Sequence, residues 1–285
     1  MVITAAQVNE LRQKTGAGMM DCKRALTEAD GDIQKAIEIL RKKGASVAAK
    51  RAEKSANEGL VLTNIFDNGK KGVIVEVNCE TDFVAKSEDF TNFANEVLKT
   101  VSEKEPKNVE DLLNSNGDLK IKMTDVLGKV GEKIEISRFA IEKTENGLIV
   151  DYVHLGSKLG VIVKFDNVSK AKDELAEIGK DIAMQVAAMK PITVYREEVH
   201  KDTINKEIEI YKELAKKEGK PEQILDKIAT GKLNKFYQEN CLFEQMFIKD
   251  NSKHVSDLIK DFNSKNGTEA KLILFHRFHL SDENK

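Results

Sequence analysis

The feature that most restricts how this chain can fold is a stretch that is written twice. Gly59 and Leu60 return as Gly147 and Leu148, Lys70 returns as Lys158, and the run Gly72-Val-Ile-Val returns as Gly160-Val-Ile-Val, each 88 residues later. Both copies read as a strand hairpin followed by a helix. In the first copy, Asp67-Asn68-Gly69 is a turn signal between two β-rich runs. Phe90, Phe93, Ala94, Val97, Leu98 and Val101 then recur at helical spacing. In the second copy Leu175, Ile178, Gly179 and Ile182 match the first four of these, but the offset has fallen to 85. The first copy therefore holds three more residues between its strand and its helix. The expected architecture is α+β: a duplicated core of antiparallel sheets packed with helices.

The enlarged link reads Cys79-Glu80-Thr81-Asp82-Phe83-Val84-Ala85-Lys86-Ser87. Connections normally use Gly, Pro, Asn and Ser for backbone reasons, so a Phe beside an acid is unusual. Two readings stand. Phe83 is a hydrophobic staple ahead of the helix, or it belongs to a loop with work beyond the fold.

Around the repeat the chain is mostly helical in pattern. Residues 1–54 read as three short helices. Thr4 and Gln7 have capping-box spacing, Gly16-Ala17-Gly18 stops the first helix, and Asp30-Gly31-Asp32 turns into the third. Gly44 is expected to end the third helix, with a polar, basic, Ala-rich helical tail or linker following to Lys54. Met19 and Met20 either fill this small core or offer a soft contact surface. Between the copies, 118–130 reads as a helix, Gly131-Glu-Lys as a turn and 134–141 as a strand. After Pro191, residues 195–218 read as one charged helix with Ile204, Ile208, Tyr211 and Ala215 at 4-3-4 spacing. Gly219-Lys220-Pro221 ends it and starts another. This helical hairpin either folds back on its own domain or packs on another subunit. The run 272–280 is expected to return to the second sheet as a strand. The segmentation is then 1–54, 55–140, 141–182, 183–229 for the hairpin, and 230–285.

Composition narrows the function. With 46 basic and 48 acidic residues the net charge is −2, which offers no field for nucleic acid or an anionic membrane. There is no apolar run of about 18 residues and no secretory pattern at the start, so a soluble cytoplasmic protein is expected. The three cysteines are far apart and read as free thiols. Phosphate-loop, dinucleotide, zinc-protease and Cys-x-x-Cys motifs are all missing. His154 stands at a hairpin tip beside no evident nucleophile. An interaction protein is favoured over an enzyme, and neither a cofactor nor a bound metal is expected. The rivals are a thiol enzyme using Cys79 and a peptide-holding scaffold.

Two motifs bring a family into view. Thr15-Gly-Ala-Gly-Met-Met-Asp-Cys-Lys23 and Glu76-Val-Asn-Cys-Glu-Thr-Asp-Phe-Val-Ala-Lys86 resemble the bacterial translation elongation factor Ts family. Lys129-Val-Gly-Glu132, Ile182-Ala183-Met184, Lys190-Pro191 and Gly219-Lys220-Pro221 extend the resemblance over nearly the whole chain. It implies a guanine-nucleotide exchange factor for the GTPase elongation factor Tu, with the alternative of a UBA-type peptide-binding, chaperone-like scaffold. It implies that residues 1–54 are a ubiquitin-associated-like (UBA-like) module docking through Arg12, Met19 and Met20. Thr81, Asp82, Phe83 and Val84 match the loop that dislodges the GTPase's magnesium. Val130 and Gly131 match the pair that presses on its phosphate loop, and His154 matches a hairpin-tip contact residue. The 183–229 hairpin would be an inserted dimerisation or contact arm, leaving a homodimer open. The chain ends soon after Arg277, so the extra C-terminal helical module of some members is not expected.

Overall fold

The computed structural model describes residues 2–282. The first residue of the 1–54 segment and the last three of the 230–285 segment lie outside them. Helices α1 (Ala5–Thr15), α2 (Met19–Glu28) and α3 (Ile33–Arg51) come first. The Thr4–Gln7 capping box opens α1, and Asp32 caps α3 by accepting from the amides of Gln34 and Lys35. Leu11, Cys22, Ala25, Leu26 and Ala36 form the small core of this trio. Strands β1 (Glu58–Phe66) and β2 (Lys71–Cys79) follow as the first hairpin. Then come α4 (Asp82–Ala85), α5 (Glu88–Lys104), α6 (Val109–Ser115), α7 (Gly117–Val130) and β3 (Ile134–Lys143). The second copy supplies β4 (Leu148–Val153), β5 (Leu159–Asp166) and α8 (Lys172–Met189). Helices α9 (Lys201–Lys217) and α10 (Leu225–Asn240) pack on one another, and β6 (Met246–Phe247), β7 (Asp250–His254), α11 (Val255–Asn266) and β8 (Lys271–His279) complete the chain.

Two antiparallel sheets, β1-β2-β3 and β4-β5-β8, lie face to face. Their central strands are buried on both sides, which explains why Gly72-Val-Ile-Val and Gly160-Val-Ile-Val are continuously apolar rather than alternating. On β2, Val73, Val75 and Val77 face α5 and α7. On β5, Val161, Val163 and Phe165 face α8 and α11. The other faces meet in a shared inner layer of Val61, Ile74, Ile149, Ile162 and Phe278. The molecule is thus helix, sheet, sheet, helix. Equivalent residues of the two copies meet across the middle: Thr63 donates to Asp151, 88 residues away, at 2.5 Å.

The repeated glycines make this contact. A Cβ on Gly72 would lie 2.6 Å from Cγ2 of Ile149, and one on Gly160 would lie 2.7 Å from Cγ1 of Val61. Gly72 corresponds to Gly160 in the repeat, and Val61 to Ile149, so one close approach occurs twice.

Two sequence expectations change. Gly44 does not end α3, which continues to Arg51. It is buried where α3 meets α7; a Cβ there would come within 3.1 Å of the Thr124 carbonyl, and Gly128 faces it from the other helix. Gly44 is there for a close helix crossing, not for a stop. Residues 195–218 are not one helix: a 3-10 turn at Arg196–Glu198 precedes α9, whose cap is His200. Helices α4, α6 and α11 also go beyond the sequence reading.

All three cysteines are buried. Burial, then the negative charge of nearby Glu132, pushes the Cys79 thiol up to about 12, which disfavours the reactive thiolate. The native protein should therefore give no reaction with an aromatic disulfide reagent at about pH 8, and should expose its thiols only on unfolding. Rapid native labelling of Cys79 would contradict the burial. A second outcome concerns the glycines. Gly72→Ala and Gly160→Ala should each cost about 1–3 kcal/mol in denaturant unfolding. Ile149→Ala should soften the first penalty and leave the second intact. Gly231→Ala, in the open interior of α10 with nothing within 4 Å, should instead stabilise by about 0.5–1 kcal/mol.

Candidate functional site

The link between β2 and α5 folds into a single helical turn. Thr81 caps it, its hydroxyl accepting from the Val84 amide, and the Ala85 amide donates to the Thr81 carbonyl at 3.1 Å. Ser87 closes the far side, donating to the Val84 carbonyl at 2.8 Å and capping α5. Ala85 is buried and Val84 packs on the core behind it. Phe83 points the other way and is 82% exposed. The staple reading therefore fails, because the residues that touch the core are its neighbours. Asp82 pairs with Lys86 at 2.7 Å. Lys86 first, and Lys158 from the second hairpin, hold its carboxyl below the usual range. This exposed pair stabilises little by itself.

The turn is fastened from behind by acids that the sequence reading assigned no role. Glu132 accepts from the Thr81 amide at 3.0 Å and from its hydroxyl at 2.8 Å. Glu80 accepts from the Lys133 amide at 2.6 Å and from Arg51, at the end of α3, at 2.7 Å. Burial works against the ionised form of Glu80, but the Lys133 amide and the Arg51 guanidinium outweigh it and leave its pKa lowered. Both acids lay inside the quoted motifs, yet their spacing along the chain says nothing about what they hold.

These bonds place the turn beside the end of α7, where Val130 is half-buried and Gly131 takes a left-handed φ of 73°. The Gly131 amide donates to Leu127 at 2.8 Å, and a Cβ there would meet nothing within 4 Å, so its backbone is open to an approaching surface. The tip of the β4–β5 hairpin comes in from the other copy. The Val61 amide donates to Ser157 at 2.7 Å, and Lys158 pairs with Glu58 at 2.6 Å. His154 is exposed there, its Nδ1 2.8 Å from the Tyr152 hydroxyl. Leu155 beside it is 96% exposed and went unnoticed in the sequence.

Arg12, Met19 and Met20 sit apart, on the three-helix segment. All three are exposed, and the methionines are 60% and 66% accessible, so they do not fill the core between α1, α2 and α3. Among the described residues no group of three His, Cys, Asp or Glu could hold a metal ion. Among the described residues no helix is long and apolar enough to cross a membrane. What this surface can do chemically is press apolar and acidic groups on another molecule.

Comparison with known proteins shows the family. The family model described as elongation factor TS matches residues 80–282. Elongation factor Ts of Chlorobaculum parvum is 47% identical over 285 residues, spanning 98% of each chain. That of Chloroherpeton thalassium is 44% identical over 99% of each. That of Clostridium kluyveri is 45% identical over 99% of this chain and 94% of its own. The family model covers the chain from the Phe83 turn onward and these relatives span nearly all of it, and the chain belongs to the elongation factor Ts family.

Proposed function

We propose that this protein accelerates GDP release from the GTPase elongation factor Tu by pressing the Phe83 turn into the magnesium site of its partner. Membership of the family makes the chain a nucleotide exchange factor of translation elongation, without covalent chemistry of its own. The observation that carries the finer reading is Phe83, a large apolar side chain exposed on a turn whose flanking residues are anchored.

The mechanism is a coupling between sites. An exchange factor binds the nucleotide-free GTPase better than the nucleotide-bound form, and reciprocity then makes nucleotide weaken the factor. Magnesium bridges phosphate and protein oxygens, so displacing it removes a large electrostatic contribution to nucleotide affinity. A 10³-fold acceleration requires about 4 kcal/mol. Burying one Phe side chain supplies about 1.5–3 kcal/mol, the same order. Phe83 would wedge among partner side chains, with Thr81 and Val84 setting its direction. Asp82 would shift groups around the metal. Val130 and the open Gly131 backbone would press the phosphate loop, while His154 meets the partner from the second sheet.

In this reading residues 1–54 are a UBA-like module that docks through Arg12, Met19 and Met20. Residues 55–140 form one half-core, and 141–182 with 230–285 the other. The stretch 183–229, which holds α9 and the first residues of α10, is a contact or dimerisation arm. The exposed Ile210 and Leu214 on α9 suit such a role.

Release of a fluorescent GDP analogue from elongation factor Tu tests the wedge. Phe83→Ala should slow stimulated release by about tenfold or more, the loss of about 1.4 kcal/mol at the barrier. Its unfolding midpoint should not move, because the side chain touches little of its own core. An unchanged release rate would remove the wedge. Added GDP should dissociate the complex, whereas a heterogeneous set of captured peptides, indifferent to GDP, would support the scaffold alternative.

A further inference from the structure

Glu132 takes no part in the contacts proposed above, yet both of its oxygens are committed to one residue. Oε2 accepts from the Thr81 amide and Oε1 from the Thr81 hydroxyl. The arrangement is reciprocal. The neighbour of Thr81, Glu80, sends its carboxylate back to the amide of Lys133, the neighbour of Glu132. The dipeptides Glu80-Thr81 and Glu132-Lys133 thus clasp one another, each giving a carboxylate to the other's backbone. The third tie, Arg51 to Glu80, reaches the clasp from the end of α3.

A clasp is needed at this point. The turn Asp82–Ala85 is one turn of helix, too short to sustain itself, since helix nucleation is unfavourable and the gain comes with propagation. Phe83 adds no packing to hold it. A wedge mounted on a yielding support bends instead of displacing what it strikes. The thrust of Phe83 therefore depends on whatever fastens Thr81.

We infer that Glu132 is a positioning residue of the exchange reaction: by gripping Thr81 it holds the Phe83 turn at a set spacing from Val130 and Gly131, so that both reach the partner together. This rests on the exchange reading above. Glu132 touches neither nucleotide nor metal and acts only through Thr81. Preorganisation of this kind speeds a step without adding a contact, and a misplacement of about 1 Å is enough to cost up to about 100-fold. It should therefore appear in the rate at saturation more than in affinity.

The experiment measures release of the fluorescent GDP analogue from elongation factor Tu at saturating factor, together with affinity for the nucleotide-free GTPase. Glu132→Ala should lower the maximal rate by about tenfold and leave affinity within about threefold. Combining Glu132→Ala with Phe83→Ala should be no slower than Phe83→Ala alone, since both act on one element. A general loss of structure would not reproduce that epistasis. If Glu132→Ala does not fold, Glu132→Gln carries the test. It keeps one oxygen for Thr81, turns a donor toward the second bond, and should give an intermediate rate. A wild-type rate in the Glu132 variant, or independent multiplication of the two losses, overturns the inference while the exchange reading stands. If the unmodified protein fails to speed release at all, the exchange reading falls and the inference with it.

Discussion

The close approach of the two sheets at Gly72 and Gly160 is the constraint on which the remaining geometry rests. A Cβ at either position would push against a branched side chain of the opposite sheet at under 3 Å. Without that side chain, Ile74 and Ile162 interdigitate with Val61 and Ile149 in one apolar layer. The approach also settles which parts of the two copies become neighbours. The tip of the second hairpin is drawn alongside the start of β1, where Ser157 and Lys158 bond to Val61 and Glu58. From there Lys158 reaches Asp82 electrostatically. The Phe83 turn of one copy and the His154 tip of the other therefore come to one end of the molecule because two glycines let two sheets touch.

The inner layer is closed at one side by charge. Arg138 on β3 donates to the fully buried Glu76 at 2.8 Å, to Asp282 at 2.7 Å and to the His279 carbonyl, and its guanidinium lies 4.3 Å from the centre of the Phe278 ring. Asp282 is held in turn by Arg277. A buried ion pair is weak evidence for net stability, since desolvation offsets much of its attraction. What it supplies here is register. Arg138 and Glu76 belong to the first sheet and Asp282 to the tail of the second, so the bonds form only at one relative placement of the sheets. Glu142 repeats the device on the same strand, meeting His276 at 2.9 Å and Lys164 at 3.3 Å from the second sheet. Apolar packing brings the halves together, and these pairs select their alignment.

The duplication, both hairpins, the turn at Asp67-Asn68-Gly69, the cap at Thr4 and the return of β8 were legible, because each rests on local periodicity or on a residue type tied to one backbone state. Gly44 was misread for a definite reason. In a sequence a helix-stopping glycine and a helix-crossing glycine look alike, and only the partner Gly128 on α7 separates them. The site was half legible. Phe83 stood out as a side chain foreign to its kind of connection, and the exposure of Met19 and Met20 resolved an open choice. The clasp of Glu80 and Glu132 was invisible, since a carboxylate in a chain that is 33% charged gives no sign of which distant amide it will meet.

The two copies also show what the three additional residues do. In the second copy five residues, 167–171, join β5 to α8. This minimal link puts Asn167 and Ala171 into left-handed φ values of 59° and 55°, and Ala171 gives α8 no side-chain cap. Such conformations cost about 1 kcal/mol or more for a residue with a Cβ. In the first copy eight residues, 80–87, join β2 to α5, and none of them takes a left-handed φ. The extra length relaxes the backbone, admits a capped helical turn, and gives Ser87 room to cap the following helix. It also gives that turn two faces. One is occupied by Val84 and Ala85 against the core, and the other has only Phe83 and Asp82 to present. The scaffold is satisfied by the shorter link, as the second copy demonstrates. The longer one therefore serves the surface it projects, and the side chain on that surface is the one that burial inside this molecule does not explain.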